Sequence, residues 1–327
     1  LETTNIKLAG LYDPQSNGLK IDMWSNSDGE EIKILLEKNI NRRLSKFSEK
    51  LLDIALLTNS YLPTKNITEE EFLEFKYDYL IQKKNLNLIK TFLENNPYIE
   101  NNEKLIKFYA DYFLALSETQ NACEIFENAG SINNKYLNKF KIYCLINENK
   151  RDQAQLLFDL SGELDGIDNF FENKFNLLME YTENDENISD ENILYFHLSH
   201  RTNKKFEYRP NLNSPKFIWK YLSSSNILKN IETFDIKNPE EFKLIEIATN
   251  EGIYDEDELF QTYKKFQFNI NQLINAEEIY KTLPSYEGRA LLYQRLLLSV
   301  DIEQKLTFAS LLLNSFQKSK LKNLFKN

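Results

Sequence analysis

Two segments of the chain carry the same small-then-large pattern, 32 residues apart. Ala122 precedes Phe126 by four residues in NACEIFENA, and Ala154 precedes Phe158 by four residues in DQAQLLFDL. Four residues make about one helical turn, so each alanine shares a helix face with its phenylalanine. Two antiparallel helices approach closely where a small side chain faces the partner, and a large side chain one turn later fills the adjoining space. The pattern therefore predicts stacked helical hairpins.

Around the first copy the match extends in both directions. The matching positions are spaced at offsets of 3, 9, 4 and 3 residues and comprise Ala110, Phe113, Ala122, Phe126 and Ala129. They resemble the tetratricopeptide repeat, a helix-turn-helix unit of about 34 residues. The resemblance implies an all-α fold, an irregular right-handed α-solenoid of stacked helical hairpins. Such a stack presents a curved surface that holds peptides or other proteins.

The shortage of chain-breaking residues independently favours helices. Glycine and proline together number 15 of 327 residues, too few for the many turns of a β-sandwich or barrel. The length exceeds the roughly 250 to 300 residues at which one compact core stops growing, whereas a helical array has no such limit. We expect a short irregular N-terminal cap at 1–27, a hairpin array at 28–160, an irregular helical middle at 161–238, and C-terminal hairpins with a cap at 239–327.

Apolar periodicity and capping residues predict the individual helices. One begins after Ser27 or Asp28, and Thr68 with Glu71 has the form of a capping box. We predict helices at 44–58, 69–83, 85–95, 103–116, 118–129, 134–147, 150–160, 168–181, 189–200, 214–223, 285–298 and 301–316. In the last of these, the predicted apolar stripe includes Leu306, Ala309 and Leu313.

The charge balance disfavours nucleic acid as the main ligand. Forty lysines and arginines against fifty acidic residues give a net charge of −10, and phosphate binding needs a positive field. One local basic cluster, the segment HRTNKKFEYR at 200–209, keeps weak nucleic-acid binding as an alternative. The chain contains no stretch of about 18 uncharged apolar residues, so we expect no membrane span.

If the hairpins stack as the resemblance implies, one face of each first helix lines an inner groove. This hypothesis assigns the groove to Leu73, Tyr77, Lys104, Lys107, Asp111, Tyr136, Lys139 and Tyr143. Tyrosines give rigid contacts and lysines attract carboxylates, so we expect a protein or peptide partner with an acidic or C-terminal segment. An ordinary solvated helix face is the alternative.

A search for catalytic or metal chemistry finds no convincing site. His197 and His200, the only histidines, share a helix face, but no acid three or four residues away completes a metal site. Glycine-rich phosphate loops, G-x-S-x-G and H-E-x-x-H are absent from the sequence. We therefore expect no enzyme activity, no metal and no cofactor. For Cys123 and Cys144 we expect two buried free thiols, with one disulfide between adjacent helices as the alternative.

Two further segments resemble a family of helical proteins from alphaproteobacteria whose function is uncharacterised. They are LYDPQSNGLKIDMWSNSDGEEIKILL near the start and GRALLYQRLLL near the end. Some members carry the label antifreeze-glycopeptide polyprotein, but this chain has no regular threonine or alanine array for ice binding. Members often carry an N-terminal leader, and this chain begins at Leu1 without methionine. The resemblance implies a periplasmic or envelope location, with the cytoplasm as the alternative.

These observations lead to three hypotheses about function. The first is a non-enzymatic scaffold that binds other proteins through the curved surface of the array. The second is a helical accessory domain associated with a cell-wall (peptidoglycan) enzyme. The third is a weak nucleic-acid binder that uses residues 200–209.

Overall fold

The chain folds almost entirely into helices. The computed structural model describes residues 8–40, 44–97, 99, 102–127, 132–164, 166–211, 213–228 and 231–325. The helices of these residues, in chain order, are α1 (Gly29–Ile40), α2 (Lys46–Leu57), α3 (Glu69–Lys83), α4 (Leu86–Asn95), α5 (Glu103–Ala115), α6 (Thr119–Glu124), α7 (Lys135–Asn147), α8 (Arg151–Glu163), α9 (Asn169–Leu178), α10 (Ile193–Thr202), α11 (Lys216–Ser224), α12 (Pro239–Asn250), α13 (Glu256–Tyr263), α14 (Ile270–Ile274), α15 (Ala276–Ile279), α16 (Ser285–Leu298) and α17 (Ile302–Lys318). The all-α prediction is confirmed.

The described residues form two compact units. The first holds those up to Asn187, except Ala115–Ser117, and the second holds Ala115–Ser117 together with those from Ile188 onward. Two short strands, β1 (Leu8–Ala9) and β2 (Ser60–Tyr61), pair antiparallel in the first unit. The helices of the described residues are all too short or too polar to cross a lipid bilayer.

Local capping sets the helix starts as the sequence predicts. Thr68 accepts a hydrogen bond from the Glu71 amide at 3.1 Å, and the Glu71 carboxylate accepts one from the Thr68 amide at 2.9 Å. This reciprocal pair is the predicted capping box, and it satisfies two amides that the helix itself leaves free. At α1, Asp28 accepts from the Glu30 amide at 3.0 Å.

Three ion pairs of the first unit each join two helices that are two places apart along the chain. Lys33 of α1 pairs with Glu71 of α3 at 2.7 Å. Lys104 of α5 pairs with Glu74 of α3 at 2.5 Å. A similar pair joins Lys90 of α4 to Glu124 of α6 at 2.5 Å. In this unit α1 therefore lies beside α3, α3 beside α5, and α4 beside α6.

The small residues of the predicted repeat lie in the core. Ala110, Ala122 and Ala154 are each fully buried. Phe126 is buried beside Phe140, with ring centroids 5.4 Å apart. Ala129, the last position of the extended match, lies outside the described residues.

Helix α6 is shorter than predicted. Its α-helical part ends at Glu124, after which the amides of Phe126 and Glu127 donate to the carbonyls of Cys123 and Glu124 at 3.0 and 3.2 Å. Such bonds span three residues rather than four, so they tighten the chain into a turn. The prediction for 118–129 was too long for this reason, and its final residues lie outside the described part.

The two cysteines form a disulfide, so the expectation of free thiols was wrong. Cys123 on α6 and Cys144 on α7 are bonded, with their Cα atoms 5.4 Å apart. Both residues are buried, which is the property the expectation used. Burial alone does not distinguish a free cysteine thiol from a cysteine in a disulfide, because both are apolar and often buried. The deciding factor is the close approach of α6 and α7, which brings the two Cα atoms within the range of a disulfide.

The second unit has a continuous apolar core. Trp219, Phe242 and Leu259 lie in it, together with residues of α16 and α17. On α17 the buried side chains are Phe308, Leu312 and Phe316. The predicted stripe began instead at Leu306, whose side chain is 66% exposed. Leu306 precedes Phe308 by two residues, so it lies on a different side of the helix.

Candidate functional site

Helix α8 turns one side toward the core of the first unit. Ala154 and Ser161 are buried on this side. The Phe158 ring stacks on Phe175 of α9, with centroids 3.9 Å apart and planes 12° apart. This contact uses the aromatic residue of the second Ala-x3-Phe copy. The inner side of α8 is therefore committed to packing.

The opposite side of the same helix exposes three leucines. Leu156 is 62% exposed, Leu160 is 50% exposed, and Leu164, the residue after the helix ends, is 76% exposed. Their four-residue spacing keeps them on one side, which we call the leucine face. Single exposed apolar residues are common on soluble proteins, but an aligned row of large ones is typical of an interaction surface.

Acidic side chains border the leucine face. Asp152, Asp159 and Glu163 are exposed on the outer part of α8. The cation nearest to them in sequence, Arg151, pairs with Glu180 at 2.9 Å. No further lysine or arginine occurs in the sequence until Lys174. The face thus combines an apolar row with a negative border, and opposite charges on a partner would complement it.

Hydrogen bonds hold one edge of this surface. Gln155 donates to Asp159 at 2.8 Å, and the Tyr181 hydroxyl donates to Gln155 at 3.1 Å. Tyr181 is itself 60% exposed. An exposed tyrosine fixed in this way enlarges the surface at little entropic cost, because it is already held.

Half of the residues predicted for the groove lie in the core instead. Leu73, Tyr77, Asp111 and Tyr143 are each at most 5% exposed. These four residues lie on α3, α5 and α7. Their low exposure leaves little surface for a broad inner groove, and a partner-binding role for the eight residues as a set remains a prediction.

Three of the predicted residues form one cluster. Lys107 pairs with Asp111 at 2.5 Å, and the Tyr136 hydroxyl donates to the other Asp111 oxygen at 2.5 Å. The Lys107 ammonium also lies 4.4 Å from the centroid of the Tyr136 ring. Burial raises the pKa of the Asp111 carboxyl, while Lys107 and Tyr136 oppose that rise. The cluster fastens α5 to α7.

The other two predicted lysines also have acidic partners within the chain. Lys104 lies between Glu74 at 2.5 Å and Asp78 at 2.7 Å. Lys139 pairs with Asp168, the residue that caps α9. Their charges are thus balanced locally, which weakens the argument for an acidic partner.

The side chains of both histidines lie within hydrogen-bonding distance of the same tyrosine hydroxyl. The Nδ1 atoms of His197 and His200 each lie 2.9 Å from the Tyr221 hydroxyl. Burial lowers the pKa of His197 to about 3, helped by Arg201 and His200, and burial also lowers that of His200. Within the described part of the chain, no three His, Cys, Asp or Glu side chains come together as a metal site requires.

The basic segment at 200–209 turns its aromatic residues inward. Tyr208 packs on Phe196 with centroids 4.8 Å apart, and its hydroxyl donates to Asp190 at 2.6 Å. Phe206 packs on Phe196 and His200 at 5.4 and 5.0 Å. Base stacking needs exposed rings, so this arrangement does not favour nucleic-acid binding.

A buried ion pair supports the core of the second unit. Arg289 donates to both Glu246 oxygens at 2.8 and 2.5 Å, and the Tyr263 hydroxyl donates to Glu246 at 2.5 Å. Burial opposes the charged form of Arg289, but the Glu246 carboxylate outweighs it and raises the arginine pKa. Arg289 also donates to Ser319 at 2.8 Å. With every polar group paired, the cluster is best explained as structural.

The leucine face was missed in the sequence, although its signal is present there. The interpretation of DQAQLLFDL used Ala154 and Phe158 and left out the leucines at four-residue spacing. An apolar row on the side opposite the packing row would have identified it.

Comparisons with protein-family models, with curated proteins and with solved structures gave no match to this chain.

Proposed function

We propose that this protein is a non-enzymatic interaction module that docks a partner protein on the leucine face. The observation that carries the proposal is the exposure of Leu156, Leu160 and Leu164 on one side of α8. The negative border favours a partner whose apolar patch is flanked by lysine or arginine side chains. The partner that the acidic border implies is thus basic rather than acidic.

The size of the face suggests a transient complex. Fully burying one leucine contributes about 1.5–3 kcal/mol, and these three already bury between a quarter and half of their surface. Stable interfaces bury about 800 Å² on each partner, more than three leucines provide. Neighbouring groups such as Tyr181 would have to contribute, and we expect micromolar affinity.

The architecture we propose for the first unit is a right-handed, tetratricopeptide-like stack of hairpins. Its support is the set of ion pairs that join α1 to α3, α3 to α5 and α4 to α6, such as Lys33 to Glu71 and Lys90 to Glu124. In a stacked array each hairpin contacts its neighbours in this way. The buried alanines of the repeat fit the same arrangement.

We further propose a periplasmic or envelope location, with the cytoplasm as the alternative. The support is the disulfide between Cys123 and Cys144. Structural disulfides persist mainly in oxidising compartments, and most cytosolic thiols are kept reduced.

Quantitative capture from the native organism tests the proposed function. The wild-type chain is compared with the double variant Leu156→Glu/Leu160→Glu, which places charges in the apolar row. The matched control, Gln153→Glu/Asn173→Glu, adds the same charge at exposed polar positions of α8 and α9. We expect one stoichiometric protein with wild type and control, and at least a tenfold loss with the leucine variant. Equal recovery with all three baits would refute the leucine face as the binding surface.

The identity of the captured molecule separates the alternatives. A peptidoglycan enzyme would support an accessory role in cell-wall processing. Recovery of RNA that falls steeply with salt, unaffected by the leucine variant, would support the nucleic-acid hypothesis instead.

A further inference from the structure

A second candidate site lies at the N-terminal half of α3, away from the leucine face. A cleft of about 300 Å³ opens there. The lining residues that the structure describes are Thr68, Glu70, Glu71, Leu73, Glu74 and Tyr77. The volume is at the lower end of the range for ligand sites, so the cleft fits a short chain rather than a nucleotide.

One polar group in the wall of this cleft lacks a partner. Tyr77 is 1% exposed, and its hydroxyl makes no hydrogen bond to any residue that the structure describes. Its ring packs edge-on against Phe92, with centroids 6.1 Å apart, which fixes the position of the hydroxyl. Buried polar groups are nearly always hydrogen-bonded, so an unpaired phenol on a cleft wall indicates a missing partner. Burial, reinforced by Glu74, raises the Tyr77 pKa, so the hydroxyl keeps its proton.

The rim of the cleft selects the charge of that partner. Glu70, Glu71 and Glu74 all line it. Lys33 holds Glu71 at 2.7 Å and Lys104 holds Glu74 at 2.5 Å, so these carboxylates are fixed in place. Three carboxylates beside two lysines leave the rim with a net negative charge, which repels an anionic ligand, and each carboxylate offers about four lone-pair sites to donors. A cation that donates several hydrogen bonds matches this rim.

The apolar part of the wall defines the rest of the ligand. Leu73 is 5% exposed and lies one turn before Tyr77 on α3. An aliphatic chain can pack on Leu73 while a polar end group reaches the tyrosine and the rim. Ammonium groups on flexible methylene chains have this combination of an apolar stem and a charged head.

We propose that the cleft binds a primary ammonium group carried on a short aliphatic chain. One N–H donates to the Tyr77 oxygen, the others donate to the rim carboxylates, and the methylenes pack on Leu73. The same chemistry occurs in a free alkylamine and in the lysine side chain of a partner protein. The site is independent of the proposed function, since none of its residues belongs to the leucine face.

Titration of the full chain with n-butylamine tests the proposal, with n-butanol as the uncharged analogue. We expect butylammonium to bind at millimolar concentration and butanol to bind at least tenfold more weakly, since hydrogen bonds to charged groups are the stronger ones. Ligand-observed NMR measures both. Absence of amine binding, or equal binding of the alcohol, would overturn the proposal.

Two variants assign the binding to this cleft. Tyr77→Phe removes only the unpaired hydroxyl, and Glu70→Gln removes one rim charge while leaving the core intact. Each should weaken butylamine binding about tenfold. Glu69→Gln is the matched control, because Glu69 lies in the same first helical turn but does not line the cleft. Equal affinity in wild type, Tyr77→Phe and Glu70→Gln would place the amine elsewhere and refute the site.

A second probe distinguishes the two sources of the ammonium group. Nα-acetyl-lysine methylamide presents the lysine side chain with peptide groups on either side. Binding at least tenfold tighter than butylamine would support a partner's lysine, and equal binding would support a free small amine. Failure of this probe and of butylamine together would refute the proposal for both sources.

Discussion

The side-chain amide of Asn96 pairs with both backbone polar groups of Gly10, 86 residues earlier in the chain. Its oxygen accepts from the Gly10 amide at 3.1 Å, and its nitrogen donates to the Gly10 carbonyl at 3.0 Å. The side-chain amide thus forms the same two hydrogen bonds to Gly10 that a residue of a paired β-strand would form. A side chain at Gly10 has no space, because a Cβ would lie 2.3 Å from the Asn59 nitrogen. The segment after β1 is therefore fastened to the end of α4.

Asn96→Ala should lower the free energy of unfolding of the first unit by about 3 kcal/mol, since it leaves two buried backbone groups without partners. Urea unfolding measures the change. Asn95→Ala, at an exposed neighbouring position, is the control and should change stability by less than about 0.5 kcal/mol. An Asn96→Ala effect as small as that of the control would contradict a stabilising role for the hydrogen bonds between Asn96 and Gly10.

Lys76 makes the stability of the first unit depend on pH. It is fully buried, and its ammonium donates to the Ala9 carbonyl at 2.6 Å. Burial lowers its pKa to about 7, so the folded state releases a proton that the unfolded chain holds. Between this pKa and the ordinary lysine value near 10.4, the unfolded state binds more protons. Stability should therefore rise with pH by up to about 1.4 kcal/mol per unit over this window.

Lys76→Met removes the titrating group and should abolish that contribution. The variant's stability relative to wild type should increase as the pH falls from about 10 to about 7, and should then level off. Urea unfolding at successive pH values measures it, with Lys50→Met at an exposed position of α2 as the control. Parallel curves for wild type and Lys76→Met would show that the lysine does not titrate in this way.

The disulfide should stabilise the first unit by constraining its unfolded chain. Cys123 and Cys144 are 21 residues apart, and closing a loop of this length contributes about 3 kcal/mol. Dithiothreitol should therefore lower the unfolding midpoint of wild type and leave Cys123→Ser/Cys144→Ser unchanged. An equal response of the two proteins, or none from wild type, would contradict a stabilising bridge.

The sequence predicts helix existence well because the signals are local. The capping box of Thr68 and Glu71 and the start of α1 after Asp28 depend only on residues close in sequence. Which face of a helix is buried depends, in contrast, on the neighbouring helix that packs against it. Phe47 and Leu51 have helical apolar spacing on α2, yet they are 72% and 52% exposed. Among the residues that the structure describes, no helix covers these two side chains, and periodicity alone does not reveal that.

In the candidate site, too, the sequence predicts the features that depend on nearby residues and misses those that depend on how helices pack together. The Ala-x3-Phe rows correctly mark packing positions, because a small residue beside a large one allows two helices to approach closely. The predicted groove relied on an alignment of first helices, and a shift of one position moves a side chain such as Tyr143 from surface to core. The pairing of Lys107 with Asp111 is a spacing of four on one helix, so the sequence contained it. The fixed position of Tyr136 beside them depends on how α7 lies against α5.

Site-specific photocrosslinking in the native organism shows whether the leucine face contacts a partner protein. A photoreactive residue replaces Leu160 on the leucine face or, as the control, Glu172 at an exposed position of α9. We expect one protein adduct from position 160 that is absent from position 172, and we expect its crosslinked peptide to be apolar and flanked by lysine or arginine. No adduct at position 160, or the same adducts at both positions, would contradict the proposal that the leucine face binds a partner.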